Sequence, residues 1–231
     1  MEHLMEKISV LIPYKAQNDN YREFLWSTVK RRYELLMPEL EICLGTDDSQ
    51  VYNRARAVNN AAKKASGDIF LITDADVIFN KSLLGCIIDG INNFPWVVPF
   101  TKGYKLSRTV SEKLIAEGIP EIISVQESDA ESIIRTAGPL MNAVSRENFE
   151  KIRGMDERFE GWGGEDDAMR ISLDVLCGPS YRIEGEIYHL WHPPAPVYRN
   201  YYINNLYLLK RYLEATADKN KMIELINEKV Y

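Results

Sequence analysis

Strand-like and helix-like segments alternate through the first third of this 231-residue chain. Short apolar runs rich in β-favouring residues predict strands over 8–12, 40–44 and 69–72. Between them, apolar residues at helical spacing predict helices within 18–37 and 52–66. Strands that are joined through helices form a parallel sheet with helices on its faces. The sequence therefore predicts an α/β fold.

The ends of these predicted strands carry the residues of a candidate site. Parallel strands present their carboxyl ends at one edge of a sheet, and ligands of such folds bind beyond that edge. The residues there are Pro13, Tyr14, Asp47, Asp48, Asp74, Ala75 and Asp76. We therefore expect one crevice to which all three strand ends contribute.

Composition restricts the class of protein. The chain has 28 basic and 34 acidic residues, and its net charge of −6 disfavours a nucleic-acid partner without excluding one. Its cysteines, Cys43, Cys86 and Cys177, lie far apart and have neither zinc nor disulfide spacing. The sequence shows no signal peptide and no membrane span, so we expect a cytoplasmic protein.

Two aspartates and two histidines are candidate metal ligands. Asp74 and Asp76 are two residues apart at a strand end, so both carboxylates can face one side and hold a hard divalent cation. His189 and His192 supply imidazoles, which together with carboxylates suit Mn²⁺. The alternative is an acidic turn at the strand end and two histidines with structural roles.

The segment 161–167, Gly-Trp-Gly-Gly-Glu-Asp-Asp, is the most specific stretch of the chain. Its glycines permit unusual backbone angles and close approach of a ligand, and Trp162 offers a flat apolar face to a sugar ring. The acidic residues begin a predicted helix, where the positive end of the helix dipole stabilises carboxylates. An acidic helix start after a glycine-rich loop is the alternative, but it leaves the tryptophan unexplained.

Several other residues have two interpretations. Asp47 or Asp48 either accepts hydrogen bonds from a base or ribose, or belongs to a polar turn. Arg54 and Arg56 either contact phosphates or are solvated. The tyrosines of the last predicted helical segment are interpreted as packing residues rather than as a ligand surface. They are Tyr198, Tyr201, Tyr202 and Tyr207.

The second half of the chain has a less regular pattern. Strands are predicted over 96–100 and 138–144, and Ser145 is the predicted cap of a following helix. The stretch 103–135 is polar and of mixed pattern. We interpret it as a helix near 108–117 and a flexible loop.

These motifs together resemble the GT-A glycosyltransferases, of the family 2 type and its relatives. The segment 138–149, the triplet Gly154-Met155-Asp156 and the stretch 161–167 are similar to the C-terminal part of β-1,4-galactosyltransferases. The same residues also resemble bacterial chondroitin polymerase and polypeptide N-acetylgalactosaminyltransferase domains.

The N-terminal part resembles the nucleotide-binding half of family 2 over residues 8–13, 54–67 and 73–76. The resemblance as a whole covers roughly residues 7 to 195. It implies a single GT-A domain, Rossmann-like, with a mostly parallel central sheet flanked by helices. The implied parts are a nucleotide-binding half, an acceptor-binding and catalytic half, and a helical tail, over 7–100, 101–195 and 196–231.

The resemblance implies an inverting, metal-dependent transfer of a hexose or N-acetylhexosamine from a UDP-sugar to an acceptor hydroxyl. The metal would be Mn²⁺ or Mg²⁺, held by Asp76 and His192, with His189 as the alternate ligand. Asp74 would contact the ribose or the sugar of the donor. Asp47 or Asp48 would contact the uracil. The implied donor-binding residues besides Asp74 are Pro13, Tyr14, Asp47, Asp48, Arg56, Ala75, Asn142, Trp162, Gly163 and Gly164.

By the same resemblance, Asp166 would be the general base and Glu165 would contact the acceptor hydroxyl. One base suffices for direct displacement, because the relatives invert the anomeric carbon. The acceptor stays open between a polysaccharide, a lipid-linked glycan, a protein and a modified nucleic-acid base. Two other functions remain as alternatives. One is a phosphohydrolase of the haloacid dehalogenase type with Asp74 as nucleophile, and the other is a non-catalytic module that binds a nucleotide sugar.

Overall fold

The computed structural model describes residues 7–15, 20–135, 140–194 and 198–229. Within these residues the strands are β1 (Ile8–Tyr14), β2 (Glu41–Thr46), β3 (Ile69–Thr73), β4 (Val77–Phe79), β5 (Trp96–Val98), β6 (Lys102–Leu106), β7 (Ala130–Ile134), β8 (Met141–Ser145), β9 (Tyr181–Arg182) and β10 (Glu186–His189). The helices are α1 (Asn20–Leu36), α2 (Arg54–Ala62), α3 (Leu83–Asn93), α4 (Arg108–Glu117), α5 (Arg146–Lys151), α6 (Glu165–Leu176), α7 (Arg199–Glu214) and α8 (Lys219–Asn227).

The larger sheet has the strand order β2-β1-β3-β8-β5-β9. β1 runs parallel to β2 and β3, and β5 runs parallel to β9, whereas β8 is antiparallel to both of its neighbours. Every residue of β3 is buried, as expected for a central strand that is covered on both faces. The predicted α/β fold with a mostly parallel central sheet is confirmed, and β8 is its antiparallel strand.

A smaller sheet, β4-β10-β6-β7, is a feature that the sequence pattern does not predict. Most of β6 and all of β7 fall in 103–135, so the interpretation of that stretch as a helix and a flexible loop is wrong for these strands. The predicted helix near 108–117 is confirmed as α4. The strands of this sheet are short and pair with segments distant in the chain, so their pairing leaves little trace in the local pattern.

The helical tail, α7 and α8, contacts the segment 152–156, which precedes the glycine-rich loop 161–164. α7 and α8 pack against α6. The Tyr212 hydroxyl on α7 donates a 2.6 Å hydrogen bond to Asp156. Beyond α8, the buried Lys229 ammonium donates to the carbonyls of Ile152 and Gly154, both at 2.8 Å. The tail therefore helps to hold the 152–156 segment in place.

α5 covers the central strand. As predicted, Ser145 caps this helix, because its hydroxyl accepts a hydrogen bond from the Asn148 backbone N–H at 3.2 Å. Phe149 of α5 packs edge-on against Phe70 of β3, with ring centroids 5.4 Å apart. Among the helices of the described residues, none is both long and apolar enough to cross a membrane.

Candidate active site

The carboxyl ends of three neighbouring strands form the edge at which the candidate site lies. Pro13 and Tyr14 at the end of β1 are in register with Gly45 and Thr46 at the end of β2. The turn 74–76 follows β3 directly and leads into β4. Since β1 lies between β2 and β3 and is parallel to both, these ends share one edge, as predicted.

Asp76, His189 and His192 form a cluster at this edge, with ligand atoms all within 4.8 Å of one another. His189 Nε2 lies 3.4 Å from Asp76 Oδ1, and His192 Nε2 lies 3.2 Å from Asp76 Oδ2. β10 pairs with β4 so that His189 stands opposite Val77, the residue after Asp76. Asp76 is 8% exposed, and its Oδ1 has no hydrogen-bond partner within the described ranges. A buried carboxylate oxygen of this kind is costly unless a cation completes its environment, so these residues fit a divalent metal ion.

Neighbouring groups hold the segment that carries the two histidines. His192 Nδ1 lies 2.7 Å from the carbonyl oxygen of Pro193 and 2.9 Å from Arg22 Nη2. Between the histidines, the Trp191 backbone N–H donates to the Ser111 hydroxyl at 2.8 Å. Burial lowers the pKa of His192, which favours the neutral imidazole that binds metal ions.

Arg54, the first residue of α2, connects the turn after β3 with the start of α6. Its Nε and Nη2 donate to Asp74 Oδ1 at 3.1 and 2.9 Å. Its Nη1 lies 2.6 Å from Asp166 Oδ1 and 4.0 Å from Glu165 Oε1. The Arg54 side chain is 14% exposed. A single, largely buried guanidinium therefore connects Asp74 with two neighbouring carboxylates from a distant part of the chain, Glu165 and Asp166.

Burial and charge shift these acids in different directions. Burial raises the pKa of Asp74, but the charge and hydrogen bonds of Arg54, together with the charges of the two histidines, outweigh it, so the net pKa lies below the usual value. Burial, followed by the charge of Asp166, raises the pKa of Glu165 to about 7. Burial also raises the pKa of Asp166, although the charge of Arg54 opposes this. A carboxylate with a raised pKa is a better proton acceptor near neutral pH than an ordinary aspartate.

The glycine-rich loop lies beside this acid cluster and leads directly into α6. Gly161, Gly163 and Gly164 have φ angles of +71°, +98° and +99°, a region that favours glycine. The Gly161 N–H donates to the Tyr52 carbonyl at 3.1 Å and so joins the loop to the residues before α2. Trp162 is 59% exposed. The loop thus presents an indole ring to solvent next to the carboxylates.

Comparison with known proteins gives matches for part of the sequence and for the fold. Residues 128–192 match a family model described as the N-terminal domain of galactosyltransferase. No curated protein matches the chain in sequence.

Three similar solved structures come from different kinds of organism. The catalytic domain of Drosophila β-1,4-galactosyltransferase 7 is 17% identical, with 86% of this chain and 79% of that chain covered and a TM-score of 0.51. Glucosyl-3-phosphoglycerate synthase from Mycobacterium tuberculosis is 15% identical, with 92% and 80% covered and a TM-score of 0.52. A mannosyltransferase from Pyrobaculum calidifontis is 14% identical, with 96% and 68% covered and a TM-score of 0.51.

The chain has the GT-A fold. The predicted resemblance to GT-A glycosyltransferases is therefore confirmed for the fold, and the family match falls in the part of the sequence that resembles galactosyltransferases. At 14–17% identity these structures identify the fold and leave the roles of individual residues as predictions.

Within this GT-A fold, the Asp47 carboxylate is engaged by protein groups. It accepts hydrogen bonds from the Ser49 hydroxyl, from the Asn53 backbone N–H at 2.9 Å and from Arg56 Nη1 at 3.1 Å. Asp47 is buried, whereas Asp48 is exposed. Of the two residues predicted to meet a base, Asp48 is therefore the one with the more accessible carboxylate.

Other residues that were predicted to bind the donor lie at or near the same edge of the GT-A sheet. Asn142 is buried on β8, opposite Ile72 of β3. Ala75 is half-buried in the turn between Asp74 and Asp76. Tyr14 packs beside Trp26, with ring centroids 6.2 Å apart. Their contacts with a donor stay a prediction.

Sequence reasoning missed two charged residues of the site. It treated Arg54 as a phosphate contact or a solvated residue, and it did not single out Glu157. Glu157 accepts hydrogen bonds from Arg56 at 2.9 Å and from Asn59 at 3.0 Å. One general signal was available: several acids predicted in one crevice require a nearby cation, because unpaired buried charges are costly, although this does not separate Arg54 from Arg56.

Replacement of Gly164 by alanine is expected to lower the free energy of unfolding by about 1–3 kcal/mol. The added Cβ would lie 2.7 Å from Phe159 Cε1, at a φ of +99° that alanine rarely adopts. Urea denaturation followed by circular dichroism measures the change. Gly85→Ala is the matched control, since a Cβ at this helical glycine meets nothing within 4 Å. Equal stability of the two variants would contradict the prediction.

Proposed function

We propose that the chain is an inverting, metal-dependent glycosyltransferase that moves a hexose or N-acetylhexosamine from a UDP-sugar to an acceptor hydroxyl. The observation that carries this proposal is the convergence, at the carboxyl edge of the GT-A sheet, of two groups of side chains. One is the Asp76, His189 and His192 cluster. The other is the acid cluster of Asp74 and Asp166, which Arg54 joins.

The ligands of the similar structures support this donor and metal. The Mycobacterium synthase was solved with Mn²⁺, UDP-glucose and phosphoglyceric acid, and the Pyrobaculum mannosyltransferase with GDP-mannose and Mn²⁺. The Drosophila enzyme was solved with xylobiose. Nucleotide-sugar donors and Mn²⁺ thus recur on this fold, while the acceptors differ. The GT-A fold gives no support to the alternative of a haloacid dehalogenase.

The cluster of Asp76, His189 and His192 would hold the divalent ion. One carboxylate and two imidazoles suit Mn²⁺ better than Mg²⁺, which prefers oxygen ligands. When bound, the ion offsets the negative charge of the departing UDP. Asp74, fixed by two hydrogen bonds from Arg54, would contact the ribose or sugar of the donor.

Asp166 would take the acceptor proton. The acceptor oxygen then forms its bond to the anomeric carbon while the bond from that carbon to the UDP oxygen breaks, which inverts the centre. Arg54 holds Asp166 Oδ1 and leaves Oδ2 as the proton-accepting atom. Glu165, next to it on α6, would bind the acceptor hydroxyl, and Trp162 would cover the sugars from the loop.

Calorimetric titration with UDP, in the presence of Mn²⁺ and again with excess chelator, tests the proposed function. We expect UDP binding that depends on Mn²⁺. A screen of UDP-sugars by UDP release would then identify the donor. Absence of UDP binding under both conditions would contradict the proposed donor and favour another nucleotide or a non-catalytic module.

His192→Ala is expected to weaken Mn²⁺ binding by at least about 10- to 100-fold, because one of the cluster's nitrogen ligands is lost. Electron paramagnetic resonance of free Mn²⁺ during a titration measures the affinity. The control is Asp89→Asn, which removes an exposed carboxylate on α3 and should leave the affinity unchanged. If His192→Ala bound Mn²⁺ as tightly as the control, His192 would not be a ligand.

A further inference from the structure

The outward face of α7 carries large apolar side chains that are exposed to solvent. Ile203, Leu206 and Leu213 on this helix are 38%, 46% and 53% exposed. The opposite face of α7 packs against α6 and carries the buried residues Asn205 and Tyr212. The aliphatic side chains on the outward face therefore lie away from the packing that holds α7 to the rest of the fold.

The residues of this face follow the spacing of a coiled-coil seam. Ile203, Leu206, Lys210 and Leu213 are separated by steps of three, four and three residues, and Arg199 lies four residues before Ile203. Alternating steps of three and four place side chains on one stripe of a helix, and a helix with such an apolar stripe packs lengthwise on a second helix. The five residues Arg199, Ile203, Leu206, Lys210 and Leu213 are called the α7 seam below. The seam is about 21 Å long.

The two cations of the seam determine the direction of a partner helix. A parallel second copy of α7 would place Lys210 against Lys210 and Arg199 against Arg199, and like charges that face each other across an interface are costly. An antiparallel copy instead places Ile203 against Leu213 of the other copy, twice by symmetry. It also places Leu206 against the aliphatic stem of Lys210. The seam is therefore self-complementary in the antiparallel direction, as a two-fold symmetric interface requires.

The ends of an antiparallel pair also match in charge. Glu214 directly follows the seam, is exposed and lies 3.6 Å from Lys210 of its own chain. In the antiparallel pair, Arg199 at the start of one helix comes within about one helical turn of Glu214 at the end of the other. Within one chain these two residues are fifteen positions apart, about 22 Å along the helix. An attraction between Arg199 and Glu214 is therefore available only between two copies.

We propose that the α7 seam is the interface of a two-fold symmetric homodimer in which the α7 helices of two copies pack antiparallel. The interface uses none of the residues assigned to donor, metal or proton transfer, so it does not depend on the proposed function. An anionic lipid surface fits the seam less well, because the chain has a net charge of −6 and Glu214 flanks the seam. A contact one helix wide is small, so we expect a dissociation constant in the micromolar range.

Sedimentation velocity of the purified chain, from micromolar to submillimolar concentration, tests this interface. We expect a reversible change from monomer to dimer as the concentration rises. Leu206→Glu should weaken the dimer at least about 100-fold, because a charge enters the centre of the seam twice. Leu35→Glu is the matched control and should dimerise as the native chain does, since Leu35 is a 67% exposed leucine on α1. A chain that stays monomeric throughout, or equal dimerisation by the two variants, would overturn the proposal.

Charge reversal at the ends of the seam tests the antiparallel direction. Arg199→Glu alone and Glu214→Arg alone each bring like charges together at both ends of the dimer, and we expect each change to weaken it about tenfold. The double variant, Arg199→Glu with Glu214→Arg, restores opposite charges and should dimerise nearly as the native chain does. If the double variant recovered nothing, the antiparallel arrangement would be wrong.

Two further measurements complete the test. Circular dichroism checks that each variant is folded. Flotation with phosphatidylglycerol vesicles tests the lipid surface as the alternative partner, and we expect the native chain to stay unbound. Vesicle binding that Leu206→Glu abolishes, together with a monomeric native chain, would assign the seam to a membrane surface and overturn the homodimer.

Discussion

Asp166→Asn is expected to lower the rate of sugar transfer by about 100- to 10,000-fold, the range attributed to general-base catalysis. Asparagine has nearly the same shape and keeps a side-chain oxygen for Arg54, which lies 2.6 Å from Asp166 Oδ1 in the native chain. It has no basic oxygen for the acceptor proton. UDP and Mn²⁺ should bind with little change, so the loss should appear in kcat. The assay is UDP release with the donor and acceptor that support turnover.

Asp167→Asn is the matched control for this experiment. Asp167 is the next residue of α6, is about half-exposed and pairs with Arg170 at 3.3 Å. It belongs to the same acidic run but does not contact Arg54 in the way that Asp166 does. We expect near-native transfer by this variant. Full activity of Asp166→Asn, or an equal loss in Asp167→Asn, would show that the base is assigned to the wrong residue.

Arg54→Met is expected to lower the free energy of unfolding at pH 7 by about 3–5 kcal/mol, the cost of leaving buried charges without a partner. The guanidinium contacts Asp74 and Asp166 and lies 4.0 Å from Glu165. Without it, burial and mutual repulsion raise the folded-state pKa of these acids above their unfolded values. Such groups destabilise the fold increasingly as pH rises through the unfolded pKa values, so the deficit should shrink toward pH 5.

Urea denaturation at pH 5 and pH 7 measures both effects. Lys81→Met is the control, because Lys81 forms an exposed pair with Glu39 at 2.9 Å and exposed pairs contribute about 0–1 kcal/mol. Arg54→Lys keeps the charge but loses the fork of hydrogen bonds, so its stability should fall between the native chain and Arg54→Met. The same stability for Arg54→Met and Lys81→Met at pH 7 would contradict the role of Arg54.

The local sequence pattern was sufficient to predict most strands of the larger sheet and the placement of Asp74 and Asp76 at its edge. Strands β1 and β3 are continuous apolar runs, and helix α4 begins after a serine that caps it, so each is specified by neighbouring residues. The order of strands and helices then implied a parallel sheet and a site at its carboxyl edge. These features depend on interactions between residues that are close together in the sequence.

The tertiary structure decided which side chains meet. His189 reaches Asp76 because the four-residue strand β10 pairs with the three-residue strand β4, a pairing too short and too distant in sequence to leave a periodic pattern. Arg54 has no sequence mark that distinguishes it from Arg56. In the fold, Arg54 is buried among three carboxylates, whereas Arg56 pairs with Asp47 and Glu157. Burial and distance set these partnerships, and both are properties of the packed chain rather than of its local sequence.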